Sequence, residues 1–551
     1  MRTKLLILGF SMFFSCLYAQ NTYNSHAAIT SRLKNLATKN NASGSVQSIG
    51  KSSGGKDIWL FTLSKGEAAK KPGVLVVAGA DGKHPAGTEI NLLLLEKLLS
   101  LPADSLSSVL SSKTLYFVPA LNPDALEQVV NKIKYARSGN ATSTDDDRDG
   151  QLNEDPFEDL NGDGLITQVR IEDPTGNYIL NKKESRLLVK ADPSKGEKGK
   201  YLLISEGVDN DNDGEFNEDG EGGVNIDQNF TFDYPIFEKG AGEYQASEPE
   251  TRAILDFLYK SINIHTVLTF GLSNNLSEAP KFDRMKTNKR IVTGILEKDA
   301  LIGDFVSKMY NSKTGLKDAP AMPQTKGNLT QTAYYHAGRF SFTTPGWWVP
   351  KVEEVKDSTK KEAPKPVVAK KEDSSPEADF LKWADKEKID AFVNWTSIKH
   401  PGFEGKKAEV GGIAPYLMQN PPVKYLDSAA VKHQRFLAEL LKAMPEVQIV
   451  NPKVESLQNG VSRVTVQVLN RGLLPTYAEM GDRVRFVYKV KTEVKLANGQ
   501  SLISGKKTNY RGALDAGEVI EYSWLVNGKG KLTVEAGCPT AGIQTIELNI
   551  K

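Results

Sequence analysis

The sequence predicts an α/β domain, a mainly parallel or mixed central sheet flanked by helices, followed by an all-β sandwich. Two patterns carry that expectation. Up to Phe270, short apolar runs alternate with helical stretches, the order that yields a mainly parallel sheet. From Val447 onward the pattern changes to alternation, with Val461, Val464, Val466 and Val468 apolar and turns rich in Gly and Asn between the runs. Half-buried strands repeated over about 100 residues point to a sandwich.

The elements follow in order. Residues 56–62 and 73–78 read as strands, the second a continuous apolar run suited to burial on both faces. Residues 88–99 form a helical pattern with Pro85 near its start, and 115–118 are another short buried strand. Residues 251–259 read as a helix and 264–270 as a strand. Residues 351–378 are dominated by Lys, Glu, Pro, Ser and Ala, which cannot bury enough surface to offset ordering entropy, so a disordered insertion is expected there. Helices are expected over 380–395 and 436–444. In the sandwich, Val484, Phe486, Tyr488 and Val490 read as one strand, Ile520, Tyr522 and Trp524 as another, and Leu532 with Val534, then Ile546, Leu548 and Ile550, as the last two. The domain plan is a leader at 1–19, an α/β domain at 21–444 with an insertion at 140–222, and an accessory β-sandwich at 447–551.

Composition sets limits. The chain has 551 residues, 39% hydrophobic and 25% charged, with a net charge of +2, which gives no case for nucleic acid or an acidic membrane surface as partner. Arg2 and Lys4 precede an apolar run over 5–14, and small residues near Ala19 offer a cleavage site, the form of a secretory signal peptide. Export to the periplasm, the cell surface or the outside is therefore expected. Cys16 would allow lipoprotein processing, but Phe13 stands where Leu is usual. No second apolar run is long enough for a membrane helix. Removal of the leader leaves Cys538 alone, so no intramolecular disulfide is expected.

Three acidic stretches share one spacing. They are Asp145, Asp147 and Asp149 with Gly150, Gln151 and Glu154; Asp159, Asn161 and Asp163 with Gly164 and Thr167; and Asp209, Asp211 and Asp213 with Gly214, Glu215 and Glu218. Oxygen ligands at alternate positions followed by Gly let a chain wrap a hard cation, and a later carboxylate closes the shell. The loops resemble the Asp-x-Asp-x-Asp-Gly loops of dockerins and other exported calcium proteins. Calcium is the cofactor expected, and without it the clustered carboxylates repel one another.

Five segments in series resemble the zinc carboxypeptidase family: Gly79-Ala80-Asp81-Gly82-Lys83-His84 after a strand, Asn122-Pro123-Asp124, Val224 to Phe230, Ser247-Glu248-Pro249-Glu250-Thr251, and Tyr334-Tyr335 with Phe342-Thr343-Thr344. The resemblance spans about 24–444 and implies a zinc held by two His and one Glu, with water at an open position. On that correspondence Asp81 and His84 stand at two zinc-ligand positions, and the third falls near Thr269-Phe270-Gly271-Leu272, where no His occurs. His265 lies roughly 15–20 Å away, at the strand's other end. The general-base Glu corresponds to Pro345, the carboxylate-gripping Arg to Gln228, its neighbouring Asn to Asp227, the substrate tyrosine to Tyr335 or Tyr334, and the oxyanion-stabilising Arg to Arg137. No catalytic residue is therefore expected. A neutral amide beside a negative charge would repel a C-terminal carboxylate. The reading is an exported carboxypeptidase-like protein, inactive or strongly altered, that binds a peptide or glycan in the inherited cleft. The alternative is an active metallocarboxypeptidase with a metal site rebuilt around Asp81 and His84.

Overall fold

A computed structural model describes residues 23–130, 135, 139–145, 150–153, 155–211, 214, 216–217, 223–322, 324–352 and 375–551. The leader at 1–19, residues 353–374 of the expected disordered insertion, Arg137, Asp147, Asp149, Glu154, Asp213, Glu215 and Glu218 lie outside the described residues.

The strands in chain order begin with β1 (Gly44–Lys51), β2 (Asp57–Leu63), β3 (Gly73–Ala78) and β4 (Thr114–Val118). The insertion holds β5 (Gln168–Glu172), β6 (Tyr178–Leu180), β7 (Leu188–Lys190) and β8 (Tyr201–Ser205). Then come β9 (Ile264–Phe270), β10 (Phe340–Thr344), β11 (Phe392–Ile398) and β12 (Ala408–Ile413). The central sheet runs β1-β2-β4-β3-β9-β10; β4, β3, β9 and β10 are parallel, and β1 and β2 join antiparallel. Every residue of β3 and β9 is buried; β3 is an unbroken apolar run, whereas β9 also buries His265, Thr266 and Thr269. The helix Pro85–Leu99, with Pro at its first turn, packs on this sheet and against the helix Leu426–Ala443.

The α/β domain is followed by a sandwich of β13 (Val447–Ser456), β14 (Val461–Asn470), β15 (Val490–Lys495), β16 (Ser501–Ser504), β17 (Thr508–Arg511), β18 (Val519–Asn527), β19 (Gly530–Cys538) and β20 (Gly542–Ile550). They form two four-stranded antiparallel sheets around Trp524, Val464, Val466, Val494 and Val534. Among the described residues no helix is long and apolar enough to cross a membrane.

Three local expectations are corrected. The helix expected over 380–395 is Pro376–Glu387; Lys388 takes a left-handed φ of 57°, which ends it, and Phe392 and Val393 begin β11. That helix also starts inside the stretch read as a disordered insertion. The strand expected from Val484 to Val490 is preceded by a short helix, Glu479–Val484; Arg485 at φ 64° stops that helix, and the strand begins at Val490. The acidic insertion is more than loops. Its strands combine with β11 and β12 in a second antiparallel sheet, β11-β12-β5-β8-β6-β7, with a small core of Val169, Ile171, Ala408 and Val410.

Candidate functional site

Parallel strands present their carboxyl ends at one edge of a sheet, and ligands of α/β folds gather there. At that edge β3 gives way to Gly79 at φ 69°, where a Cβ would stand 2.7 Å from Thr88 Oγ1 and 3.1 Å from Ala120 Cα, so only glycine fits. Asp81 follows, its Oδ1 accepting from Lys83 N at 2.8 Å. His84 caps the helix Pro85–Leu99 and is 1% exposed. Its ring is pressed on Gly87, where a Cβ would meet Nδ1 at 2.7 Å, and it lies near the main chain of Phe270 and Pro345. Neither ring nitrogen has a partner of good hydrogen-bond geometry. Burial pulls this imidazole down to about 4, which keeps it neutral at neutral pH.

The donor set does not fit the family's zinc. The tip of β9 offers Thr269, Phe270 and Gly271, and the position after β10 is Pro345, which can neither take a proton nor orient water. Among the described residues no group of three His, Cys, Asp or Glu side chains could hold a metal ion. His84 lies against Gly87 at the sheet edge, with the main chain of Phe270 and Pro345 beside it. His265 sits at the other end of β9, bonding Pro475 O at 2.9 Å.

Asn225, which sequence reasoning passed over, links the other polar groups. Its Nδ2 donates to Asp81 Oδ2 at 3.4 Å and its Oδ1 accepts from Asp227 N at 3.0 Å. Asp227 is 8% exposed, and burial, with the negative charge of Asp81 second, pushes its carboxyl up to about 8. Burial raises Asp81 as well, so the two acids hold an extra proton near neutrality. Gln228 shares a cavity of about 950 Å³ with Lys83 and Asn225, walled on the far side by Tyr178, Phe392 and Trp395 of the inserted sheet. The two tyrosines stand elsewhere. The Tyr334 hydroxyl donates to Asp299 Oδ2 at 2.8 Å and accepts from Leu296 N at 3.0 Å, and Tyr335 stacks on Phe232 with ring centroids 4.0 Å apart. They line a cavity of about 1690 Å³ beside β10 whose lining does not include Gln228.

The other signature acids are structural. Asp124 Oδ1 accepts from Lys56 Nζ at 2.7 Å and its Oδ2 from Gly54 N at 2.8 Å. Glu250 Oε1 accepts from Ser53 N at 3.0 Å, and Glu248 Oε2 from Asn140 Nδ2 at 2.8 Å and from Thr142 Oγ1 at 2.6 Å. This buried network fastens the stem of the insertion to the start of the helix Pro249–Lys260.

The acidic loops repeat one bond. Gly150 N donates to Asp145 Oδ2 at 3.1 Å, Gly164 N to Asp159 Oδ2 at 2.7 Å, and Gly214 N to Asp209 Oδ2 at 3.1 Å. The three glycines take φ of 97°, 85° and 94°, the left-handed turn the motif needs. The loops differ at the second oxygen. Among the described residues, Oδ1 of Asp145 and Oδ1 of Asp209 are buried without a partner, whereas Asp159 Oδ1 accepts from Gly162 N at 2.7 Å and from Asp163 N at 3.2 Å. Two further acids tie the loops together: Glu206, which local spacing does not reveal, and Asp155, which ends the first acidic stretch. Glu206 accepts from Leu160 N at 3.0 Å and from the Thr167 hydroxyl at 2.9 Å; Asp155 accepts from Asn217 N at 2.5 Å. Thr167 thus donates its hydroxyl proton to Glu206. Asn161 Oδ1 accepts from Asp163 N at 2.9 Å, Gln151 is exposed, and Asp211 is half-buried.

With this geometry established, comparison with known proteins places the chain. The zinc carboxypeptidase family model matches residues 29–344, more than half of the chain, which therefore belongs to that family. Residues 446–549 match a domain of unknown function. No curated protein matches. Solved structures similar to it include thrombin activatable fibrinolysis inhibitor, at 14% identity over 59% of this chain and 66% of that one, with a TM-score of 0.37. Carboxypeptidase A from Helicoverpa armigera follows at 15% identity over 59% and 64%, TM-score 0.35. A metallo-carboxypeptidase from Pseudomonas aeruginosa matches at 12% identity over 57% and 58%, TM-score 0.27. The chain spans less than two thirds of the length of each of these proteins.

Proposed function

We propose that this is an exported member of the family that has exchanged hydrolysis for binding, and that a peptide or glycan occupies the cleft between the edge of the central sheet and the inserted sheet. The observation that carries the reading is the joint replacement at the strand tips: Pro345 stands at the base position and Phe270–Gly271 where the third metal ligand would be. Peptide hydrolysis on this fold draws on a metal-activated water and a carboxylate that shuttles its proton. The cavity of about 950 Å³ is of ordinary ligand size, and its lining combines carboxamides and lysines with aromatic rings.

Calcium is proposed for the acidic loops. The unpartnered Oδ1 atoms favour the loops of Asp145 and Asp209, while the loop of Asp159 satisfies its own carboxylate from main-chain amides.

The test is a pair of assays on the purified full chain. Release of C-terminal amino acids from a peptide pool should not exceed background, with zinc added or chelated. Peptide and oligosaccharide arrays should each be probed with wild type and with Gln228→Ala, and binding that weakens at least tenfold in the variant locates the ligand. Chelator-sensitive release that disappears in His84→Ala would overturn the reading in favour of the rebuilt enzyme.

A further inference from the structure

Lys83, Gln168 and Gln228 line the cavity of about 950 Å³, and among the described residues their side chains make no hydrogen bond and no ion pair. Lys83 is half-buried. Its charge bears on Asp81, which does not itself line the cavity. Lys239 adds a second positive charge to the lining, and among the described residues Glu377 is the one carboxylate there. The cavity therefore offers a free ammonium, two free carboxamides and an excess of positive charge, all with open space beside them.

The inserted sheet brings side chains to this space more than main chain. β5, β8 and β12, which supply Gln168, Leu203 and Ile413, each pair with a strand on both sides. Their backbone is already hydrogen-bonded, so an extended peptide finds little there to pair with. Tyr178 and Trp395 line the cavity half-buried. The Trp395 indole is fixed in place: its Nε1 donates to Arg186 O at 2.8 Å, and the Arg170 guanidinium stacks 4.4 Å from its ring centre. Arg170 is itself neutralised by Glu409 at 2.8 Å. A fixed, partly open aromatic ring suits the C–H face of a sugar, and a carboxamide, donor and acceptor together, matches neighbouring hydroxyls. The excess positive charge matches a carboxylate on that sugar.

We propose that the cleft takes an acidic oligosaccharide, a chain of uronic acids or other carboxylated sugars, with a carboxylate on Lys83, hydroxyls on Gln168 and Gln228, and a ring face on Trp395. The choice of a glycan over a peptide rests on the cleft being a binding site, as proposed above. Lys83 sets the preference for the acid, because an ion pair in a concavity loses less to solvent and salt than one on an open surface. The carboxamides and the indole hold acidic and neutral sugars alike.

The experiment is calorimetric titration of the full chain with tetrasaccharides of galacturonate, mannuronate and hyaluronan. Each is paired with the same tetramer whose carboxyl groups are reduced to alcohols, and tetraglutamate serves as the acidic peptide. At least one acidic tetramer should bind about tenfold or more tightly than its reduced form, the scale of one partly screened ion pair. Added salt should narrow that ratio. Lys83→Met should remove the preference and leave the reduced form bound as before, whereas Lys83→Arg should keep it. Gln168→Ala should weaken both forms. The wild-type comparison of acid with alcohol decides if a variant does not fold. Equal affinity for acid and alcohol, a ratio unchanged in Lys83→Met, binding of tetraglutamate alone, or binding of none of these ligands would each overturn the acidic glycan. Chelator-sensitive release of C-terminal residues by the same preparation is the separate result that removes the reading of the cleft as non-hydrolytic.

Discussion

The signature residues of the family divide into two regions with different fates. Asp124, at the start of the helix Pro123–Val130, and Glu248 and Glu250, at the start of the helix Pro249–Lys260, stand in segments that resemble the family's motifs, and each is engaged by several donors from the turn after β1 and the insertion stem. At the tips of β3, β9 and β10 the residue types differ from the family pattern, and His84 is packed without a hydrogen-bond partner. The first region holds elements together, so its acids carry free energy of folding. On the proposed reading the second region no longer serves hydrolysis, so its side chains are free to fill space. Membership in the family fixes the sheet and not the activity.

The sharpest way to break this division is stability. Asp124 has 2% of its side chain exposed and pairs with Lys56. Asp124→Ala should cost about 3 kcal/mol or more, because it leaves buried donors and a cation unpaired. Asp81→Ala should cost less than about 1 kcal/mol, since burial already raises the carboxyl of Asp81 and penalises its charge. Equal losses in denaturant titrations would erase the distinction between the regions.

Acid should sharpen it next. His84, His265 and His433 are each held down to about 4, in every case chiefly by burial. A depressed folded pKa means that the unfolded chain binds the proton first. Their contribution is therefore intact above pH 6.5 and is lost as pH falls from 6.5 toward 4, at about 3 kcal/mol for each ring at the limit. Asp227, raised to about 8, and Asp299, raised to about 6, work in the other direction and gain as pH falls. Single variants separate these contributions. His84→Leu should remove its share of the acid limb with little loss at pH 7, because its nitrogens have no partners there. His265→Leu should also flatten the limb but lose stability at pH 7, because it strands Pro475 O. Indistinguishable pH profiles for the two variants would contradict the contrast between the ends of β9.

Removal of calcium is a smaller effect. Chelation should lower the unfolding midpoint by several degrees, since a ligand of the native state is withdrawn. Asp145→Asn or Asp209→Asn should shrink that shift more than Asp159→Asn does, following the unpartnered oxygens. A midpoint indifferent to chelator, with no calcium in the purified protein, would remove calcium from the account.

How much of this was legible beforehand follows from how local each signal is. The buried strands β3 and β9, the helix after Pro85 and the alternation of the sandwich show in sequence because each is a continuous pattern. The second sheet is invisible there, since β5 pairs with β12 across more than 200 residues and β6 and β7 are only three residues long. Phe392 belongs to a strand although its spacing suits the preceding helix, because Lys388 turns left-handed between them. In the cleft, motif positions in the sequence place Asp81 and His84 after β3, Phe270–Gly271 at the end of β9 and Pro345 after β10, where the structure has them. The pairing of Asp81 with Asp227 through Asn225 was not, for it depends on two loops more than 140 residues apart in the chain meeting at the sheet edge.

The smallest expected effect is the most telling. Pro345→Glu restores a carboxylate at the base position, and the expected gain in peptide hydrolysis is zero. A general base contributes about 10²–10⁴-fold only when it can reach the proton of a water already positioned and activated. Here the neighbouring imidazole of His84 is 1% exposed and packed against Gly87, and no third ligand stands at the end of β9. Gly346, at φ 75°, leaves room for no Cβ beyond 2.8 Å from Ile90 Cδ1, so the segment after residue 345 is closely packed and a glutamate must turn outward into the cleft or disturb that packing. The substitution should therefore alter stability before it alters turnover. Measurable, zinc-dependent release of C-terminal residues by Pro345→Glu would mean that the remaining polar groups still form a working metal site, and the division between the two signature regions would have to be redrawn.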